Sequence, residues 1–236
     1  MCLSECVAQV RRASPFESRR CPRRAFTLVE LLIVIAIIAI LSVLLIPYIN
    51  SARDSASSVK CVNSLHQIGV MTELYCADSG NILPPNNTWS WGSTEWLETL
   101  VSKVKGISVP EVRDAMAKGT ELSHCPVILP SDTAIKVKSP SGFYYWINYG
   151  VNYVNLGGLA TPAGPPSFSR LNVRSPSKCI YVADGRQTLL NYAWSGAQPL
   201  GRHHGKSNVL WLDGHVTSEL QSFLIDPANY SDNWVP

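Results

Sequence analysis

The sequence predicts an α+β protein in which a long N-terminal helix, membrane-spanning in its first half, packs on a small, mostly antiparallel β-sheet domain. An apolar run of membrane length follows an arginine-rich arm, a helical apolar face continues beyond it, and short segments rich in β-branched and aromatic residues occupy the rest. The length of 236 residues allows one mid-sized domain and an appended segment. We expect a leader, an apolar helix, a polar continuation of that helix and a globular head, at residues 1–25, 26–49, 50–78 and 79–236.

The positive charge of the chain is concentrated in the leader. Residues 1–25 hold six arginines and two glutamates, whereas the whole chain has a formal charge of only +3. The remainder is therefore slightly acidic, which argues against a nucleic-acid partner for the head.

The apolar run covers residues 28–46 and has Glu30 and Ser42 as its only polar members. As a helix it measures ~29 Å, close to the ~30 Å hydrocarbon core of a bilayer. The arginines before it favour a cytoplasmic leader and an exported C-terminal part, in a single-pass protein of the inner membrane. A cleaved secretory signal is the alternative, but the run is too long and no A-x-A-like site follows it.

The stretch RAFTLVE, residues 24–30, resembles the processing motif of type IV pilins and of the pseudopilins of type II secretion. Ala25 replaces the usual glycine before the cut, and Pro47 stands where these proteins commonly carry a proline. The resemblance implies cleavage between Ala25 and Phe26 by a prepilin peptidase and N-methylation of Phe26. A bend in the helix is expected at Pro47, which lacks an N–H group.

Glu30 is an ionisable group in the apolar run, and cleavage would create a positively charged partner for it. A cut before Phe26 creates an ammonium group at a helix N-terminus, and Glu30 lies four residues further on the same helical face. It can pair with its own N-terminus or with that of a neighbouring subunit, which lowers the desolvation cost of both charges. The resemblance implies that Glu30 is the assembly residue.

The helix is expected to continue through residues 51–77 and to stop at Ser79-Gly80-Asn81. Its buried face should carry residues spaced by three and four, with Val62 and Met71 at the margins. These residues are Cys61, Leu65, Ile68, Thr72 and Tyr75.

The head is expected to combine short helices with strands. The predicted helices cover 93–105 and 110–118, the predicted strands fall within 143–154, 178–184 and 208–212, and 156–169 is a loop.

The segment RHHGKSNVLWLDGHV, residues 202–216, admits two interpretations. A metal enzyme would use its histidines and aspartate as ligands. The candidate ligands are His203, His204, Asp213 and His215, with Asp184 nearby. A β-hairpin with a type I′ turn at Asp213-Gly214 needs no ion and is favoured.

The same segment resembles the H-x9-DG element of pilin-like proteins from planctomycete-type bacteria, through His203, Asp213 and Gly214. We place this element at residues 203–217. We expect the His203 imidazole to hydrogen-bond to the turn and to hold the hairpin against the sheet.

Two ligand classes are weighed for the head. Calcium could bind Asp184, Asp213 and Asp226, although no EF-hand spacing exists. Trp89 and Trp91 could stack on a sugar, but aromatic residues of such a domain more often lie in the core. We therefore expect no cofactor, with calcium as the alternative.

The cysteines divide between compartments. Cys2, Cys6 and Cys21 belong to the leader, whereas four others would face the oxidising exterior, where disulfides form. Those four are Cys61, Cys76, Cys125 and Cys179. Cys61 and Cys76 are ~22 Å apart on one helix and cannot bond to each other, so each needs Cys125 or Cys179, and a Cys61–Cys125 bond is slightly favoured.

The resemblance to type IV pilins and pseudopilins implies a structural subunit without enzymatic activity, assembled through its N-terminal helix into a type IV pilus or a type II secretion pseudopilus. Its expected partners are a prepilin peptidase/N-methyltransferase, other pilin-like subunits, the assembly platform of the inner membrane and the lipid bilayer. One alternative is a minor pilin that binds polysaccharide, DNA or a secreted substrate. A membrane-tethered metallohydrolase that uses residues 203–215 is the other.

Overall fold

The computed structural model of the chain divides into two compact units, one ending at Tyr48 and one beginning at Ile49. It describes residues 26–85, 96–118, 122, 136–138, 144–146, 149–152, 156, 168–185, 189–191 and 197–229.

The first helix, α1, covers Leu28–Asp78 and therefore contains the apolar run and the polar segment that follows it. All large apolar side chains described between Phe26 and Ile46 are exposed. Of the helices in the described part of the chain, α1 is the one long and apolar enough to cross a membrane. The side chain of Pro47 lies outside the described residues, so the bend expected there stays a prediction.

The half of α1 that belongs to the second unit buries the predicted face. Cys61, Leu65 and Ile68 are fully buried, and Thr72 is nearly so. At the end of the face Cys76 is buried while Tyr75 is half-buried. The buried residues therefore confirm the predicted helical spacing up to Thr72. In the last turn Cys76 is buried in place of Tyr75.

The helix ends where the sequence predicted. Gly80 and Asn81 have φ values of 67° and 62°, in the left-handed region. The Asn81 N–H donates to the Cys76 carbonyl at 2.8 Å, which satisfies one of the carbonyls that a helix end leaves open.

Two short helices follow, α2 at Trp96–Lys105 and α3 at Val109–Ala117. Both predicted helices are thus confirmed, with starts shifted by one to three residues. The buried Glu98 of α2 accepts from Arg113 of α3 at 2.9 Å, so an ion pair joins the two helices.

The sheet of the second unit has the strand order β5-β3-β4-β6-β7, and its pairs are antiparallel except for β3 with β5. A separate antiparallel pair is formed by β1 and β2. The strands are β1 Lys136–Lys138, β2 Tyr144–Trp146, β3 Tyr149–Asn152, β4 Ile180–Asp184, β5 Leu189–Leu190, β6 Lys206–Trp211 and β7 Val216–Leu220. A short helix, α4, covers Gln221–Leu224, and 3₁₀ helices lie at Arg170–Asn172, Pro176–Lys178 and Pro227–Asn229. The predicted α+β class is confirmed.

Apolar residues line both faces of the sheet because side chains alternate along a strand. On β6, Leu210 belongs to the cluster that includes the buried face of α1, whereas Val209 and Trp211 belong to a second cluster with Leu224 of α4. The α1 helix approaches closely at Gly69, where a Cβ atom would lie 3.1 Å from Leu210 Cδ1. A helical glycine thus lets α1 lie against the middle of the sheet.

Candidate functional site

Thr27 and Glu30 form a capping box at the start of α1. The backbone N–H and the hydroxyl of Thr27 both donate to Glu30 Oε2, at 2.9 and 2.8 Å. In return the Glu30 N–H donates to Thr27 Oγ1 at 3.3 Å. Thr27 immediately precedes the helix and Glu30 is its third residue, which is the spacing that lets the two side chains satisfy open N–H groups of the first turn.

The capping box holds the carboxylate at the helix end where cleavage would leave a new amine. Phe26, adjacent to Thr27, is 72% exposed. Glu30 was predicted from the sequence but Thr27 was not, although Thr-x-x-Glu before an apolar run is the sequence signature of a capping box. Ala25 lies outside the described residues, and the pairing of Glu30 with an ammonium group stays a prediction.

A second polar cluster surrounds Asp184, the fully buried last residue of β4. Its carbonyl accepts from the Leu200 N–H at 2.8 Å and from the Ser207 hydroxyl at 3.1 Å. Its carboxylate oxygen Oδ2 accepts from the Asn208 N–H at 3.0 Å and lies 3.4 Å from His203 Nε2. Residues at the start of β6 therefore fix this carboxylate.

Buried cationic and phenolic groups lie close to the same carboxylate. Arg202 is 4% exposed and donates to the Gly185 carbonyl at 2.7 Å. Tyr149 pairs with Asp184 in the β3–β4 register. Burial and then the negative charge of Asp184 raise the pKa of Tyr149 above its ordinary value, which keeps this phenol neutral.

His203 is positioned by a two-residue turn. His203 and Lys206 exchange two backbone hydrogen bonds, at 3.1 and 3.0 Å. The intervening His204 and Gly205 have φ values of 53° and 80°, as a type I′ turn requires at both central positions. This turn was not predicted because His204-Gly205 is not one of the pairs, such as Asn-Gly or Asp-Gly, that mark a type I′ turn in a sequence.

The type I′ turn predicted at Asp213-Gly214 is wrong, although the hairpin of β6 and β7 is confirmed. Gly214 has a φ of 94°, but Asp213 is not in the positive region. The Gly214 N–H donates to the Trp211 carbonyl and the Trp211 N–H to the His215 carbonyl. This pattern is typical of a three-residue loop in which a type I turn is followed by a bulge glycine.

The predicted hydrogen bond from the His203 imidazole to the Asp213-Gly214 turn is also wrong. His203 lies before the first residue of β6 and pairs with Asp184, whereas the turn follows the last residue of β6. The five residue steps of this strand separate them by roughly 17 Å. His203 therefore contacts the end of β4 instead of the hairpin loop. The nine residues between His203 and Asp213 include the whole of β6.

Asp213 and His215 form their own pair at the hairpin loop. Asp213 Oδ1 lies 2.5 Å from His215 Nδ1 and accepts from the His215 N–H at 3.2 Å. The imidazole stacks on the Trp211 ring, with centroids 5.6 Å apart. The four candidate metal ligands are thus split into two pairs at opposite ends of β6.

Within the described part of the chain, one group of three side chains has its ligand atoms within 4.8 Å of one another, namely Cys61, Asp184 and His203. Asp213 and Asp226 are not in this group, and Asp226 accepts from the Ala228 N–H in a local turn. Calcium binding stays a prediction, as does sugar binding by Trp89 and Trp91, which lie outside the described residues.

Cys61 is disulfide-bonded, whereas Cys76 and Cys179 are free and buried. The partner of Cys61 lies outside the described residues, as does Cys125, so the Cys61–Cys125 pairing stays a prediction. Burial raises the pKa of both free thiols, that of Cys179 to about 12, so both are protonated at neutral pH.

Residues 20–46 match the family described as the prokaryotic N-terminal methylation motif. The chain carries this methylation motif at its N-terminus. The matched segment supports a type IV pilin-like protein that is processed at its N-terminus, and the apolar part of α1 fits a membrane anchor. The methylation motif includes Thr27 and Glu30, so the capping box lies inside it. No curated protein and no solved structure matches the chain.

Proposed function

We propose that this protein is a structural subunit of a filament, either a type IV pilus or a type II secretion pseudopilus, and that it has no catalytic role. The observation that carries the proposal is the methylation motif on an exposed apolar run of α1, residues 28–46, whose single carboxylate is held at the first turn of the helix. The leader stays in the cytoplasm and the head is exported. A prepilin peptidase/N-methyltransferase cuts after Ala25, and an inner-membrane platform adds the subunit to the filament.

The capping box supports a specific role for Glu30 in assembly. Thr27 supplies two hydrogen bonds to the carboxylate, which offset part of its desolvation in lipid while it is unpaired. After cleavage the ammonium of Phe26 adds a charge partner at the same helix end. In a stack of subunits, the carboxylate can instead meet the ammonium of a neighbouring chain, and this exchange makes assembly depend on Glu30.

The first test is the intact mass and N-terminal residue of the protein recovered from membranes. We expect the mature chain to begin at Phe26, with the mass of one additional methyl group on its amine. A chain that retains its arginine-rich leader contradicts the proposal.

The second test separates processing from assembly. Glu30→Ala should leave cleavage intact and abolish incorporation into filaments, measured by shearing and immunoblotting. Ser42→Ala is the matched control, because Ser42 is the other polar residue of the apolar run and satisfies its hydroxyl on the Ile38 carbonyl at 2.7 Å. If Glu30→Ala entered filaments as well as Ser42→Ala does, then Glu30 would have no role in assembly.

A further inference from the structure

A cleft of about 350 Å³ lies between α1 and the first residues of β6, within the second unit. This volume is near the lower end of the ~300–1,000 Å³ range of small-molecule pockets, so the cleft suits a small polar group. The residues that line it include Asp54, Ser58 and Val59 of α1, and His204, Lys206 and Ser218 on the side of the sheet.

The alternation of side chains along the strands places Lys206 and Ser218 on the side of α1. Lys206 shares a face of β6 with Leu210, whose side chain approaches α1 at Gly69. Asn208 lies between them on that face, and Ser218 of β7 is its cross-strand partner. The Lys206 ammonium and the Ser218 hydroxyl therefore belong to the same wall of the cleft.

The turn that carries His204 is packed tightly against its surroundings. A Cβ atom on Gly201 would lie 2.8 Å from the backbone of Gly205, so these two parts of the chain are in close contact. The Gly205 carbonyl also accepts from the Gln221 N–H at 3.0 Å. His204 and Lys206, on either side of Gly205, thus start from a backbone that is held in place.

Two opposite charges line the cleft without pairing with each other. Among the residues that the structure describes, no hydrogen bond or ion pair reaches the Lys206 ammonium. The Asp54 carboxylate lies 3.7 Å from His204 Nε2, which is too far for a hydrogen bond, and 57% of the Asp54 side chain is exposed. A cation on one wall and an anion on the other match a ligand that carries both a negative and a positive group.

The cleft begins close to the end of the apolar part of α1. The second unit opens at Ile49, three residues after the apolar run. Tyr48 and Ile49 are 79% and 54% exposed, and tyrosine is enriched where a membrane helix meets the lipid headgroups. Asp54 follows Ile49 by ~7.5 Å of helix, and the headgroup layer extends about 5–8 Å beyond the hydrocarbon core. Lipid headgroups are therefore within reach of the cleft.

We propose that this cleft binds the phosphoethanolamine headgroup of a membrane phospholipid. The phosphate accepts hydrogen bonds from the Lys206 ammonium and from the hydroxyls of Ser58 and Ser218. The ethanolamine ammonium donates to the Asp54 carboxylate. Val59, which is 58% exposed, contacts the glycerol and the first methylene groups of the lipid. The bound lipid ties the second unit to the bilayer surface, and this role does not depend on processing or assembly of the chain.

Asp54 makes the cleft selective among phosphate compounds. The headgroup of phosphatidylglycerol has no positive group for this carboxylate, and the quaternary ammonium of phosphatidylcholine has no N–H to donate. Inorganic phosphate meets only the wall that carries Lys206. Phosphatidylethanolamine is therefore expected to bind more tightly than these three.

The test uses the full chain in an uncharged maltoside detergent, with short-chain lipids as probes. Dihexanoyl phosphatidylethanolamine is titrated by isothermal titration calorimetry, and the heat of mixing with empty micelles is subtracted. The phosphatidylglycerol and phosphatidylcholine analogues and inorganic phosphate are titrated in the same way. We expect one saturable site for the ethanolamine lipid and at least ~10-fold weaker binding of the other three.

Substitutions separate the contributions of the two charges. Lys206→Gln should weaken binding of the ethanolamine and the glycerol lipid alike, each at least ~10-fold, because both carry the phosphate. Asp54→Asn should weaken only the ethanolamine lipid and so remove the selectivity. The matched controls Lys178→Gln and Asp78→Asn change exposed charges of the same kinds outside the cleft and should leave both affinities unchanged.

Three results would overturn the proposal. They are the absence of saturable binding of the ethanolamine lipid, an equal affinity for any of the other three compounds, and an unchanged affinity for the ethanolamine lipid in Lys206→Gln or Asp54→Asn. The comparison among the four compounds is made on the unaltered chain and does not depend on the folding of any variant.

Discussion

At the scale of single residues, the two buried thiols make the stability of the second unit sensitive to alkaline pH. In the unfolded chain a cysteine thiol ionises near pH 9, whereas burial raises the pKa of Cys179 in the folded state to about 12. Above pH 9 the folded state therefore holds more protons than the unfolded state, and the free energy of unfolding falls as pH rises, by up to about 1.4 kcal/mol per pH unit for this thiol.

The variant Cys179→Ala should lose this contribution. We expect its free energy of unfolding to fall less steeply than that of the parent between pH 9 and 10.5, measured by urea denaturation at a series of pH values. In the folded parent, Cys179 should also resist alkylation at pH 8, and it should react once the protein is unfolded. Identical pH slopes for the two proteins would show that Cys179 ionises as readily in the folded state as in the unfolded chain.

The residue scale also shows what the sequence could and could not predict about the candidate sites. The importance of Glu30 followed from the cost of one carboxylate in an apolar run, and its partner Thr27 was recognisable from the Thr-x-x-Glu spacing. The pairing of His203 with Asp184 was not recognisable, because 18 residues separate them in the chain and only the β4–β6 register brings them together.

At the scale of elements, the contact between α1 and β6 depends on a glycine. A Cβ on Gly69 would lie 3.1 Å from Leu210 Cδ1, and larger side chains would overlap this strand. Gly69→Val should therefore destabilise the second unit by about 1–3 kcal/mol through overpacking, although valine has the better helix propensity. Thermal and urea denaturation followed by circular dichroism measure the effect.

The matched control for this substitution is Gln67→Val on the exposed side of the same helix. It introduces the same side chain without a packing conflict and should change stability by no more than about 0.5 kcal/mol. If both substitutions lower the free energy of unfolding equally, then the close approach of α1 to Leu210 at Gly69 does not contribute to stability.

Helices and strands were predicted more accurately than the turns that join them. The period of α1 and the apolar strands β4 and β6 carry strong local signals, since burial repeats at fixed spacing. Turn types depend on the φ values of single residues. The Asp213-Gly214 pair predicted a type I′ turn, yet the chain places that turn at His204-Gly205, where no strong local signal exists.

At the scale of the whole molecule, the sequence predicted the α+β class but not the strand order. The class follows from the long helix and from the short apolar strands that come after it. The order β5-β3-β4-β6-β7 includes a parallel β3–β5 pair whose strand β5 has only two residues. So short a strand carries no period of its own and cannot be recognised without its neighbours.

The division of the chain into two units predicts where it can be cut. A chain beginning at Ile49 should unfold cooperatively, because every buried apolar residue described in the core clusters lies at or beyond Cys61. A chain beginning at Ser57 should behave alike, since every residue it lacks whose side chain the structure describes is exposed on α1. Circular dichroism during thermal unfolding gives the measurement.

A chain beginning at Ser79 should not fold, because it lacks the half of α1 that covers one face of the sheet. Losing the burial of Leu65 and Ile68 alone removes about 3–6 kcal/mol, and losing the disulfide of Cys61 about 2–5 kcal/mol more. Together these losses are comparable with the whole stability of a typical domain, about 5–15 kcal/mol. A cooperative transition in this shortest chain would mean that the sheet has a sufficient core without α1, and that the buried face of α1 serves attachment of the helix instead of folding.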